Sequence, residues 1–299
     1  MCCGLLAGLL WGASAPAADK PVVTWMMGAS PPASMPVDGK LTDGFYDVAV
    51  KLVAQEWPEV EHRVVVVNGG RALSSLSSNM QACFASAVRT PERDRVGYFT
   101  ASYLLPPLKV VAKPDKLTGM RKNAAGEVLP ANLFDRDDLR GIIIPNRSYS
   151  PVVDALLALR PASSGLRTVI TTDGGANLLK MLALDRADYS LAYDHTLVYN
   201  LKQNPDAFRH TQLVAAPLAG TETVLTGVYC PRSDWGREAV MRIDAILAKV
   251  SQTPQYRNAL HRWLSPDAVA RHKLAEAAFY AQRAKVTDPA RFAPASNNP

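Results

Sequence analysis

With 299 residues, 48% of them hydrophobic and 20% charged, the chain has the composition of a globular protein with enough apolar residues for a substantial core, which argues against intrinsic disorder. Its five histidines (His62, His195, His210, His261 and His272) show no His-x-x-x-His or Cys-x-x-Cys spacing, so neither a metal centre nor any other cofactor is expected. The net charge of +6 lies almost wholly in residues 224–299, where 11 basic side chains face 6 acidic ones; without interleaved aromatics this is a solvated basic face rather than a nucleic-acid module.

Residues 2–18 carry no charged side chain, "LLAGLLWGA" forms a short apolar core, and "ASAPAADK" supplies Ala-x-Ala positions near Ala15 and Ala17. Together they predict a secretory signal peptide over residues 1–18, too short to span a bilayer. No Lys or Arg precedes the apolar run, so the start is expected to lie inside a longer leader, and Cys2 and Cys3 do not suit a lipoprotein cleavage site. Past residue 18 no apolar stretch approaches the roughly 18 residues of a membrane helix, so the mature chain is expected to be soluble and exported. In an oxidising compartment the two remaining cysteines, Cys83 and Cys230, either pair or persist as buried thiols.

From the N-terminus, Val22 to Met27 predicts a buried strand ended by Gly28 and the Pro31-Pro32 turn. "FYDVAVKLVAQEW" places Val48, Leu52 and Val53 on one helical face, with Phe45 and Ala49 beside them. A strand "HRVVVVN", a Gly69-Gly70 turn, a short helix with Leu73 and Leu76, and a strand "MQACFASAV" follow. After "LKVVAK" the stretch from Pro114 to Asn132 is polar and loop-rich, and α/β alternation restarts. "LRGIIIPN" predicts a strand, "SPVVDALLAL" a helix capped by Ser150, "LRTVITT" a strand, "GANLLKMLALD" a helix capped by Thr172 or Asp173, and "ADYSLAYD" a strand. The strand "TVLTGVYC" then leads into three helices, two of which open with Thr253 or Ser265 before a proline, and residues 287–299 are expected to be a disordered tail.

Two α/β units in series, followed by helices with no sheet of their own, predict two lobes with a cleft between them. The final helices would pack on the first unit, giving lobe 1 as residues 19–113 and 224–286, lobe 2 as 114–223, and two hinge crossovers.

In "RTPERD", Thr90 suits an N-cap, Pro91 the first helical position and Arg93 the third. The free amides and dipole of a helix start favour an anion, and an arginine there is disfavoured by roughly 0.3–1 kcal/mol unless an anion accompanies it. A carboxylate accepting two hydrogen bonds from Arg93 would meet that need.

From about Val22 to Phe279 these landmarks resemble, in order, those of the extracellular solute-binding proteins of family 3, the type 2 periplasmic binding fold that serves amino-acid transporters. The resemblance is carried by the Pro-Pro turn, "DGKLTDGFYDVAVKLV", "SAVRTPERDRVGYFTASY", "LRGIIIPNRSYS", "LDRADYSLAYD" and "CPRSDWGREAVMRIDAIL". It implies an α/β fold whose two lobes each hold a mixed sheet flanked by helices. It also implies that Arg93 binds the ligand's carboxylate with Ser86 as a second contact, that Ser148 and Tyr149 help hold that carboxylate from lobe 2 with Tyr193 nearby, and that Asp194 binds the ligand's amine. Cys83 and Cys230 fall on lobe 1 strands that a bridge would tie together. Ala33 replaces an aromatic and Val88 a hydroxyl that the family often uses to hold its ligand.

The function implied is a monomeric periplasmic protein that closes on a small anionic or zwitterionic, amino-acid-like ligand for an ABC-type membrane permease. A stand-alone sensor acting on a membrane partner is the alternative. A dehydratase of the cyclohexadienyl type on the same fold is less favoured, because Asp194 is the nearest acid for it and no other catalytic motif is present.

Overall fold

A computed structural model describes residues 20–145, 149–171 and 175–293. The chain builds β1 (Val22–Met27), α1 (Phe45–Gln55), β2 (Glu61–Val66), α2 (Gly69–Ser77), β3 (Ala82–Val88), α3 (Pro91–Val96) and β4 (Gly97–Leu105). It continues through β5 (Lys109–Ala112), α4 (Pro114–Thr118), α5 (Pro130–Phe134), β6 (Gly141–Ile143), α6 (Pro151–Leu159), β7 (Arg167–Thr168) and α7 (Ala176–Ala183). Then come β8 (Tyr189–Ala192), α8 (Asp194–Gln203), α9 (Pro205–Phe208) and β9 (Val214–Pro217). β10 (Val224–Pro231) leads into α10 (Asp234–Val250), α11 (Pro254–His261), α12 (Pro266–Arg283) and a 3-10 turn, Pro289–Phe292.

The strands form two five-stranded mixed sheets, ordered β2-β1-β3-β10-β4 and β7-β6-β8-β5-β9. In the first, β1 runs parallel to β2 and β3, while β10 lies antiparallel between β3 and β4. The second repeats the plan, with β5 antiparallel between β8 and β9. Central β3 is buried almost throughout, whereas edge strand β2 leaves Val65 and Val66 exposed.

Helix starts follow side-chain chemistry. Thr90, Ser150, Thr253 and Ser265 each cap their helix by accepting the N–H three residues on, and each is followed by proline. Val240, Ile243, Leu247 and Val250 of α10 join Phe45, Ala49 and Val53 of α1 over Trp25 and Tyr103 in the first lobe's core. Each such large side chain, fully buried, contributes roughly 1.5–3 kcal/mol. A disulfide joins Cys83 of β3 to Cys230 of β10, across 147 residues that include all of the second sheet. In the chain-entropy model a loop of that size stabilises by roughly 5 kcal/mol.

The structure redraws several boundaries. β5 was expected to close lobe 1 at residue 113, but it pairs with β8 and β9, so the outward crossing lies at 106–108, where Pro106 and Pro107 interrupt the strand. Residues 218–223 carry the chain back, and Thr221 Oγ1 donates to Leu108 O at 3.1 Å, tying the two crossings together. Gly69 and Gly70 open α2 under an Asn68 cap instead of forming a turn. Residues 287–293 are ordered, contrary to the expected tail: Thr287 N donates to Asp244 Oδ2 at 2.7 Å, and Phe292 is buried edge-on to Tyr98. The expected signal peptide and the caps Thr172 and Asp173 lie outside the described residues.

Candidate functional site

The C-terminal ends of β1 and β3 stand side by side, which in an open α/β sheet is where a ligand crevice forms. Gly28, just past β1, donates its N–H to Ser86 Oγ at 2.8 Å, and a Cβ at Gly28 would stand 3.3 Å from that oxygen. Backbone and hydroxyl therefore form one close-packed rim.

Arg93 lies beside this rim. Thr90 accepts the Arg93 N–H at 3.3 Å, and the side chain folds back so that Nη1 donates to Val88 O at 2.6 Å. The guanidinium stands 5.9 Å from the Phe84 ring centre and near the start of α2, with Nη2 4.0 Å from where a Gly69 Cβ would sit. Among the described residues no carboxylate comes within 4.0 Å of Arg93, so the ion pair with Glu92 that would give it a purely structural role is not formed. Arg89 differs: it pairs with Asp94 at 3.0 Å and lies over Phe99. Arg95 is exposed.

Tyr46, in the first turn of α1, is buried in the lobe 1 core against Phe45 and Tyr103, and sequence reasoning passed over it. Burial raises its phenol well above the usual range, against a hydrogen bond with Thr226; Tyr193 raises it further, and the Arg93 charge opposes. An aromatic hydroxyl in the helix turn following the Pro-Pro segment was the available signal.

The other residues expected from lobe 2 divide. Tyr193, half-buried, stacks on His195 with ring centres 5.4 Å apart, and His195 meets Phe45 of lobe 1 edge-on at the same separation. Tyr149 is a core residue: its Oη accepts from Ile144 N at 2.7 Å, and its own N–H donates to Asp154 Oδ1 at 2.8 Å. Ser148 lies outside the described residues.

Asp194 departs most from expectation. It is 3% exposed, Oδ1 accepts from Lys109 Nζ at 3.0 Å and Ser265 Oγ at 2.9 Å, and Oδ2 accepts from Ser265 N at 2.7 Å. With both oxygens bonded, the carboxylate tethers α8 of lobe 2 to the start of α12 rather than presenting a free acceptor for a ligand amine. The cause is local, since Asp194 opens a buried helix beside a buried lysine.

No group of three or more His, Cys, Asp or Glu side chains that would hold a metal occurs among the described residues, and no helix there is long and apolar enough to cross a membrane.

No family model and no curated protein matches the chain. Solved structures do. A probable amino-acid ABC transporter extracellular-binding protein from Bacillus subtilis aligns with a TM-score of 0.61 at 14% identity, over 83% of this chain and 100% of that one. A histidine kinase sensor domain with similarity to periplasmic binding proteins gives 0.58 at 18% identity, over 83% and 99%. An ancestral amino acid-binding protein, a precursor of cyclohexadienyl dehydratase, gives 0.59 at 15%, over 82% and 96%. At these identities the likeness is one of fold: the chain has the two-lobed α/β architecture of the periplasmic binding proteins.

Proposed function

We propose that the chain is an exported, monomeric solute-binding protein that closes on a small anionic or zwitterionic, amino-acid-like ligand and presents it to an ABC-type permease. The observation that carries this reading is Arg93, half-buried at a capped helix start and free of any carboxylate within 4.0 Å among the described residues. In this reading Arg93 takes the ligand's carboxylate in a two-pronged hydrogen bond, the Ser86 and Gly28 rim bounds one side, and Tyr193 contributes from lobe 2. Asp194 and Tyr149 act as supports. Since Asp194 is already bonded, an amine on the ligand would have to find another acceptor, which favours a ligand recognised mainly as an anion.

A second reading, a sensor passing ligand occupancy to a membrane partner, draws on the histidine kinase sensor domain of the same fold. The dehydratase-like reading loses the acid it relied on, because both Asp194 oxygens are engaged.

Native mass spectrometry of the purified chain, followed by thermal shifts against amino acids, organic acids and short peptides, tests the proposal. A ligand at 100 times its dissociation constant stabilises by roughly 2.7 kcal/mol. Arg93→Ala is expected to abolish that shift and leave the ligand-free melting point unchanged. Retention of the shift together with a lower ligand-free melting point would make Arg93 a structural residue and sink the proposal. Cross-linking in membranes then separates a permease partner from a kinase partner.

A further inference from the structure

β4 is an edge strand, and its two halves are treated differently. Toward its C-terminal end the outer side is covered: Ser102 O accepts from Tyr256 Oη at 2.7 Å, and Leu104 O accepts from His272 Nε2 at 3.0 Å. Toward its N-terminal end the Gly97 N–H donates to Arg93 O, and between there and Ser102 the outer side is open among the described residues. Arg232 N–H donates to Val96 O, and pairing continues as Gly97 with Pro231, Tyr98 with Cys230 and Phe99 with Tyr229. The alternation of an antiparallel ladder therefore turns the backbone N–H and C=O of Phe99 and Ala101 away from β10. Among the described residues, no other backbone group or side chain bonds to them.

Phe99 and Ala101 line a groove of about 530 Å³, together with Arg89, Arg232, Phe279, Lys285 and Arg291. Two acids, Asp94 and Asp288, also line it, but Asp94 is already engaged by Arg89 and Tyr229. Lys285 and Arg291 are exposed and have no ion-pair partner among the described residues, whereas Arg232 Nε and Nη2 donate to the Asp94 carbonyl and its guanidinium lies over Tyr98. The groove thus combines a stretch of open strand edge, aromatic lining and, even with Asp288 in it, an excess of basic side chains.

We propose that this groove docks an extended acidic segment of another protein, which pairs with the outward groups of Phe99 and Ala101 while its carboxylates meet Lys285 and Arg291. Main-chain pairing would supply affinity, and the basic rim would set the sign of partner accepted. A concave site with outward amides fits a peptide backbone, whereas a lipid surface needs neither feature.

Fluorescence anisotropy with a labelled peptide of alternating Val and Glu, about eight residues long to match a strand, tests this on the full chain. The peptide is expected to bind, more weakly as salt is raised. Lys285→Glu/Arg291→Glu should weaken it about tenfold or more, since both side chains are exposed and reverse the rim charge. N-methylating alternate peptide amides should abolish binding, a loss that charge attraction alone does not produce. Any of four results overturns the proposal: no binding of the Glu peptide, equal binding of its N-methylated form, equal or tighter binding of a Val-Lys peptide, or association only with phosphatidylglycerol vesicles. Dimerisation lost in the same double variant would instead identify a second copy of the chain as occupant, and would also overturn it.

Discussion

Asp244 is completely buried, yet four donors converge on its carboxylate: Arg283 Nη1 at 3.0 Å, Thr100 Oγ1 at 2.6 Å, and Thr287 through N at 2.7 Å and Oγ1 at 2.9 Å. Arg283, 5% exposed, also donates to the Asp244 carbonyl. Removing one member of such a pair strands the other's charge, at a cost of about 3–5 kcal/mol. Asp244→Ala is therefore expected to lower the urea-derived stability by that amount, and to speed amide exchange over residues 287–292, which Thr287 holds in place. Asp244→Leu/Arg283→Met should recover most of the loss, because the double variant leaves no unpaired charge. The contrast with Arg93 lies in surroundings: one arginine is matched to an acid within its lobe, while among the described residues the other's side chain donates to the Val88 carbonyl and meets no acid.

At the scale of elements, α11 and α12 are joined where His261 Nε2 meets Glu276 Oε1 at 2.6 Å. The Glu276 hydrogen bond raises the imidazole above its usual 6.5, against the opposing effect of burial. A raised folded-state value means that the pair's stabilisation is complete below the unfolded value of about 6.5 and is lost as pH climbs through the folded one. His261→Gln should thus lower the urea midpoint more at pH 5.5 than at pH 9; an equal effect at both would show that the bond does not depend on imidazolium charge. Elements of this kind were legible where local chemistry is strong. Ser150, Thr253 and Ser265, each followed by proline, marked their helix starts correctly. β4 was not anticipated because "GYFTASYLL" mixes small, polar and aromatic residues, and its strand character comes from pairing with β10, more than 100 positions away. α8, which begins directly at Asp194, was hidden by the absence of a side-chain cap.

At the scale of the whole molecule, two lobes in series were readable from the alternation of strands and helices, but the lobe of β5 and the partners of Asp194 were not. Both depend on which strand or helix a segment meets in space, and no local pattern records that. The consequence is a lobe-to-lobe contact behind the cleft: Asp194 bonds Ser265, Lys202 Nζ donates to Arg262 O at 2.8 Å, and Tyr199 packs edge-on to Trp263 with ring centres 5.1 Å apart. Lys109, its side chain 8% exposed, depends on Asp194 at 3.0 Å, with Asp267 farther away at 3.7 Å. Asp194→Ala should therefore destabilise the ligand-free protein by about 3–5 kcal/mol and raise its radius of gyration in solution scattering, as α8 loosens from α12. Arg93→Ala should do neither. The opposite pattern, in which Asp194→Ala leaves ligand-free stability and size unchanged but removes a ligand-induced shift, would return Asp194 to the binding site and show that the tether contributes little to holding the lobes. In the solute-binding reading proposed above, Asp194→Ala is also expected to lower ligand affinity through the closed-state population, without loss of any ligand contact.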